Sequence, residues 1–295
     1  MPAFLGFLGV LAFSFTLPAT RVAVEELDPT FVGIGREAVA VLPAALILLF
    51  TRSPWPTRRQ IARLALVVLG VTLGWPLFSA LALQDLTSAH SAVIVGLLPA
   101  ATAVAAVLRA GEHPSRGFWL ATAAGLVAVL VFAGTQGAGS FSTGDFQILA
   151  AVALAAIGYA EGGTLAREMS GWRVICWALV LAAPLTIPIG TVAAASSDLN
   201  ASGDAWLGFA YVAAISALFG FFPWYAGLAR GGVAKIGQIQ LVQPLLTLAW
   251  SALLLSEHIS TATIVASIAV VASVVATQRT RVTRSSRPPL VTSRQ

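Results

Sequence analysis

Glu161 lies inside an apolar run, with Tyr159 two residues before it and Gly158, Gly162 and Gly163 around it. A carboxylate at membrane depth costs about 2.5–3.5 kcal/mol on insertion scales, so it must face the interior and hold a partner or a proton. Two readings stand: a proton-coupling site, or a structural ion pair with an arginine such as Arg167. Arg36 and Glu37 are neighbours in another apolar run. Adjacent helix positions point in different directions, so the two are not expected to pair with each other. Arg36 either receives a substrate carboxylate on its forked donors or bonds loop carbonyls or a carboxylate of another helix. His90 reads either as a proton relay, the role imidazole suits, or as an interfacial polar residue. Gln238, Gln240 and Gln243 place three amides within six residues. Unpaired amides are costly in hydrocarbon, so these are expected to face a wet cavity. Buried indole and phenol groups need polar partners, which adds Trp75, Trp224 and Tyr225. The candidate substrate-binding set is Trp75, Tyr159, Trp224, Tyr225, Gln240 and Gln243; the candidate charge and proton-coupling set is Glu161, Arg36 and His90.

The elements that must position these groups follow from composition. Apolar residues make up 58% of the chain and charged residues 10%, and mean hydropathy is +0.87. Ordinary soluble domains carry about 25% charged residues. Apolar runs occupy roughly 3–20, 31–50, 62–81, 87–108, 117–134, 146–166, 172–194, 205–228, 233–255 and 260–278, each long enough as a helix to cross a hydrocarbon core of about 30 Å. The strict alternation of a membrane β-barrel is absent. The fold expected is an all-α membrane protein of ten transmembrane helices. The net charge of +5 does not indicate nucleic acid, because of its distribution. Apart from Arg21 and Arg36, every basic residue falls at one face if the runs alternate, and the acidic loops fall at the other. Basic loops collect on the cytoplasmic side. The chain is therefore expected to be multi-pass in the inner (plasma) membrane, with both termini cytoplasmic.

The chain also repeats itself. Residues 83–132 align without a gap to 228–277, 145 positions on. Pro99/Pro244, Thr102/Thr247, Glu112/Glu257 and His113/His258 are identical pairs within that alignment. An odd number of runs separates the copies, so the second must be inverted relative to the first, as in secondary transporters. The expected division is 1–134 as the first five-helix repeat, 135–145 as a linker, 146–278 as the second repeat, and 279–295 as a disordered basic tail. Prolines recur within the runs, at Pro18, Pro43, Pro76, Pro99, Pro184, Pro188, Pro223 and Pro244. Each removes a donor and crowds the carbonyl four residues back, a defect tolerated at membrane depth only beside protein or a water-filled cavity. Pro99 and Pro244, at matched positions, are the candidate hinges.

The pattern resembles the EamA-type branch of the drug/metabolite transporter superfamily. The residues that carry the resemblance are Thr87-Ser88-Ala89, Leu97-Leu98-Pro99-Ala100 and Gly111-Glu112-His113, then Gly232-Val233-Ala234, Val242-Gln243-Pro244-Leu245 and Ser256-Glu257-His258. Arg36 matches an arginine common at that place in the family. The resemblance spans about residues 3–278. It implies two inverted repeats around a central cavity, and export of small metabolites such as amino acids or amphipathic compounds. Ser256 departs from the family's usual glycine. No cofactor or metal is expected. No phosphate-binding loop points to direct use of ATP, and an intramembrane enzyme would need paired catalytic groups that the runs do not supply. A channel or non-transporting scaffold is the alternative reading. The expected partners are a small-molecule substrate and the bilayer, with no nucleic acid, in a monomer or homodimer.

Overall fold

The computed structural model describes residues 1–135, 142–254, 261–280 and 282–284. Helices dominate, because backbone groups in hydrocarbon must be satisfied within their own segment. The first half holds α1 (Pro2–Ser14), α2 (Thr16–Val24), α3 (Arg36–Phe50), α4 (Arg58–Val67), α5 (Trp75–Asp85), α6 (Ser88–Val95), α7 (Leu98–Ala110) and α8 (Arg116–Thr135). The second holds α9 (Thr143–Met169), α10 (Gly171–Ser196), α11 (Gly203–Tyr211), α12 (Phe221–Gly231), α13 (Val233–Gly237), α14 (Gln243–Leu254) and α15 (Thr261–Gln278). Among the described residues, six helical stretches are long and apolar enough to cross a membrane: Pro2–Val24, Phe31–Phe50, Arg58–Asp85, Thr143–Met169, Gly171–Ser196 and Gly203–Gly231. Their ends carry local signals. Thr57 and Gln60 close a capping box on α4, and Ser142 and Asp145 close one on α9. Gly111, at φ 61, ends α7 in the left-handed conformation that glycine adopts without strain.

Prolines shape the interior in matched ways. Pro76 lies in the first turn of α5 and Pro223 in that of α12. A π-helical segment precedes each helix, Val68–Gly74 and Val212–Phe219 respectively. A missing N–H leaves carbonyls unpaired one turn back, and the wider π register lets them reach donors further along. Pro99 and Pro244 sit in the first turns of α7 and α14, immediately after interruptions. The earlier interruption is at Gly96–Leu97, and the later one is the 3-10 segment Gln238–Val242. Pro18 frees the carbonyl of Ser14, and the Thr247 hydroxyl donates to that oxygen at 2.7 Å. Pro43, Pro184 and Pro188 lie inside the continuous helices α3 and α10.

The two interrupted helices cross each other. α6 packs on α14 while α7 packs on α13, so the pair runs antiparallel, and α8 packs on α15. Other contacts recur when the halves are exchanged: α1 meets α12 as α5 meets α9. Equivalent helices thus face each other in opposite directions, as the repeat requires. At one end, β1 (Glu112–Pro114) pairs antiparallel with β2 (Val282–Arg284). These three tail residues depart from the expected disorder from Arg279 onward, because Val282 and Thr283 favour extended backbone and the open edge of the Glu112–Pro114 segment offers them unpaired backbone groups. Glu257 and His258 lie outside the described residues.

Candidate functional site

A polar pocket sits between the halves. Phe13 and Thr16 reach it from the first helical stretch, Arg36 and Glu37 from α3, Trp75 from α5, Tyr159 from α9, Phe221 from α12 and Gln243 from α14. Val71 and Ser216 line it from within the two π segments, and Arg36 directly follows a third, Phe31–Gly35. Rewound helix is found frequently at functional sites because it re-aims side chains and frees backbone groups. About 300 Å³ of the pocket is free of atoms, counting its open side, and its enclosed part holds on the order of one water molecule. In this conformation the pocket is largely closed.

Charge inside the pocket is balanced. Arg36 Nε donates to Glu37 Oε1 at 3.2 Å, and both side chains are 2% exposed. This corrects the expectation that adjacent positions would keep the two apart. Their side chains are long enough to bend back along the helix, and a buried charge left single is far costlier than a bent rotamer. Arg36 Nη1 has no hydrogen-bond partner. Gln243 Nε2 donates to the Phe13 carbonyl at 3.5 Å, while its Oε1 is unpartnered. Gln240 faces the Tyr159 phenol without closing a hydrogen bond on either amide atom. Gln238 donates to the Pro99 carbonyl at 3.1 Å, which ties the two interrupted helices together at the first break.

Of the sequence candidates, Arg36, Trp75, Tyr159 and Gln243 line the pocket. Trp224 packs on Tyr159, with ring centroids 5.4 Å apart, and is fully buried. Tyr225 donates to the Gly158 carbonyl at 3.4 Å. These two form a layer behind the lining. The sequence reading passed over Phe13, Thr16, Val71 and Ser216. The Thr16–Ser216 hydroxyl contact, 2.6 Å across 200 residues, had no local signal.

Glu161 lies at the basic end, beneath the pocket. Its Oε2 accepts from Arg109 Nε at 3.0 Å and Nη2 at 2.8 Å, and its Oε1 accepts from Arg63. The pair with Arg167 is therefore not formed; Arg167 bonds Glu112 at 3.2 Å instead. Glu112 is fully buried and accepts from the N–H groups of Val233 and Ala234 at 2.9 and 2.7 Å, so it caps α13 from the other half. At the opposite end, His90 binds Asp145 at 2.7 Å, away from the pocket. There Ser202 donates its hydroxyl and its N–H to Glu26, and these bonds hold that carboxyl below its ordinary value of 4.5.

Apolar helices long enough to span, and two antiparallel halves closed around a polar pocket, define a multi-pass membrane transporter. The chain belongs to the EamA-like transporter family, which matches it twice, over residues 1–134 and 142–278. It is 46% identical over 274 residues to an uncharacterized transporter, YdeK, of Bacillus subtilis (strain 168), covering 93% of this chain and 96% of that one. It also resembles a solved crystal structure with a TM-score of 0.73 at 17% identity, over 94% of this chain and 98% of the other. At that identity the likeness concerns the fold alone.

Proposed function

We propose that the protein is a secondary exporter of small metabolites of zero net charge that carry a carboxylate, amino acids among them, working by alternating access. The observation that carries this reading is the buried Arg36, whose Nη1 has no partner, beside Glu37 in a largely closed pocket between the halves. Arg36 Nη1 would donate to the substrate carboxylate. Glu37 and Gln243 Oε1 would accept from an ammonium or hydroxyl group, and Trp75, Tyr159 and Phe221 would hold the apolar part. A ligand with net charge would leave one charge unpaired in a buried site, a penalty of several kcal/mol.

In this reading ten helices span the membrane, in two inverted repeats. The basic end, with Arg52, Arg58, Arg59, Arg63, Arg109 and Arg116 among its residues, faces the cytoplasm with both termini. The interruptions at Pro99 and Pro244 serve as hinges. Proton or substrate gradients supply the drive. Both oxygens of Glu161 accept from arginines here, so Glu161 has no lone pair facing the substrate in this conformation.

Counterflow of labelled amino acids into proteoliposomes tests the proposal. Uptake above empty liposomes is expected, with loss of at least tenfold for Arg36→Gln in protein that still elutes as a single species. Equal uptake by parent and variant would remove Arg36 from the site.

A further inference from the structure

We infer that Glu161, Arg63 and Arg109 form the gate that closes the pocket toward the basic end. The inference rests on the alternating-access reading and not on the substrate proposed. Arg63 comes from α4 and Arg109 from α7, both in the first half, whereas Glu161 comes from α9 in the second. One carboxylate therefore joins three helices across the boundary between the halves. Arg63 extends the junction to Glu168 at 2.6 Å and to Thr164, both also on α9.

Placement makes these bonds a gate as well as a brace. Tyr159, a pocket-lining residue, is two positions from Glu161 on the same helix, about 3 Å along the axis. The carboxylate thus lies one step nearer the basic end than the pocket lining, on the face of α9 that meets α4 and α7. α9 has little room to yield sideways. A Cβ on Gly158 would meet Val71 Cγ2 at 2.6 Å, and one on Gly162 would enter the Tyr225 ring. Opening the pocket at this end therefore requires the halves to separate, which pulls Arg63 and Arg109 away from Glu161. Glu112 differs, because it holds the start of α13 at a helix terminus whose N–H groups need an acceptor in every conformation. Glu112 is placed as a pivot and Glu161 as a latch. The positions matched to Arg63, Arg109 and Glu161 in the other repeat are Gly208, Leu254 and Thr16, none of them charged. The carboxylate–guanidinium latch therefore has no counterpart at the matched positions of the other end.

The test reads conformation directly. Thr16→Cys, in a Cys176→Ala background that removes the chain's single cysteine, reports the pocket to a membrane-impermeant maleimide. The reagent is added to inside-out or right-side-out vesicles. Glu161→Gln, and separately Arg63→Gln with Arg109→Gln, are expected to raise labelling from the basic end at least tenfold, with no rise from the opposite end. Glu168→Gln, which removes only a partner that is 46% exposed, should change the rate by less than twofold. Labelling within twofold of the parent in both gate variants, each eluting as folded protein, overturns the inference. So does an equal rise from both ends, which would mark general loosening. A rise from the basic end alone, in protein that fails amino-acid counterflow, keeps the gate and removes the substrate reading.

Discussion

Matched positions at the two ends of the molecule share one backbone plan and are closed by different chemistry, although a His90–Asp145 pair also joins the halves at the opposite end. At the basic end, Glu161 is clamped by Arg63 and Arg109 across the halves. At the matched place on the opposite end, Gly208 lets two helices touch: a Cβ there would lie 2.6 Å from the Ala19 carbonyl oxygen. Ion pairs are long-ranged, depend on salt and can be broken without repacking. Close contact between backbones is short-ranged and indifferent to salt. A duplicated fold has thus kept its kinks and helix crossings while its closures diverged, so the ends should open at different cost and answer to different perturbations.

The largest effect is expected from Glu161→Gln. It leaves two guanidinium groups facing a neutral amide and should lower stability by about 2–3 kcal/mol. That is less than the 3–5 kcal/mol of a fully buried pair, because Arg109 is 43% exposed and solvent screens it. Denaturation of detergent-solubilised protein measures the loss, which should shrink in high salt. Gly208→Leu should cost about 1–3 kcal/mol through overpacking, with no salt response. If both variants respond to salt alike, the contrast between the ends fails. The matched threonines sharpen it further. Thr247 satisfies the Ser14 carbonyl, whereas the Thr102 hydroxyl has no partner. Thr247→Val should therefore cost about 1 kcal/mol, and Thr102→Val should be neutral or stabilising.

The smallest effect concerns the exposed tie between Glu26 and Ser202. The folded-state value of Glu26 is depressed, so its contribution is fully present above the ordinary 4.5 and is lost as pH falls through the lowered value. The stability difference between parent and Glu26→Gln should accordingly be flat at neutral pH and vanish in acid. A difference that grows in acid would reverse the assignment.

Much of this was legible in the chain. The apolar run over 31–50 became Phe31–Phe50, because length and hydropathy alone decide which segments enter lipid. Pro99 and Pro244 stood out as a matched pair, and both open the second half of an interrupted helix. The π segments were not legible, since Val68–Gly74 reads as ordinary apolar helix and only packing against α9 and α10 shows how it is rewound. Charge partners were misjudged for a related reason. Arg167, six residues from Glu161, was the nearby candidate, yet the partners are Arg63 and Arg109, 98 and 52 residues away in the chain. Proximity along a helix says nothing about which other helices abut it.

Sequence by itself determined that the chain is built for a bilayer, that it is written twice, and where prolines interrupt its helices. Those properties follow from hydropathy, internal repetition and proline chemistry, which can be read without knowing what packs on what. Tertiary structure alone decided which charges meet: Arg36 with Glu37 in the pocket, Glu161 with two arginines below it. Helices must first cross before side chains far apart in the chain can satisfy one another, and in a low-dielectric interior that geometry selects the partner.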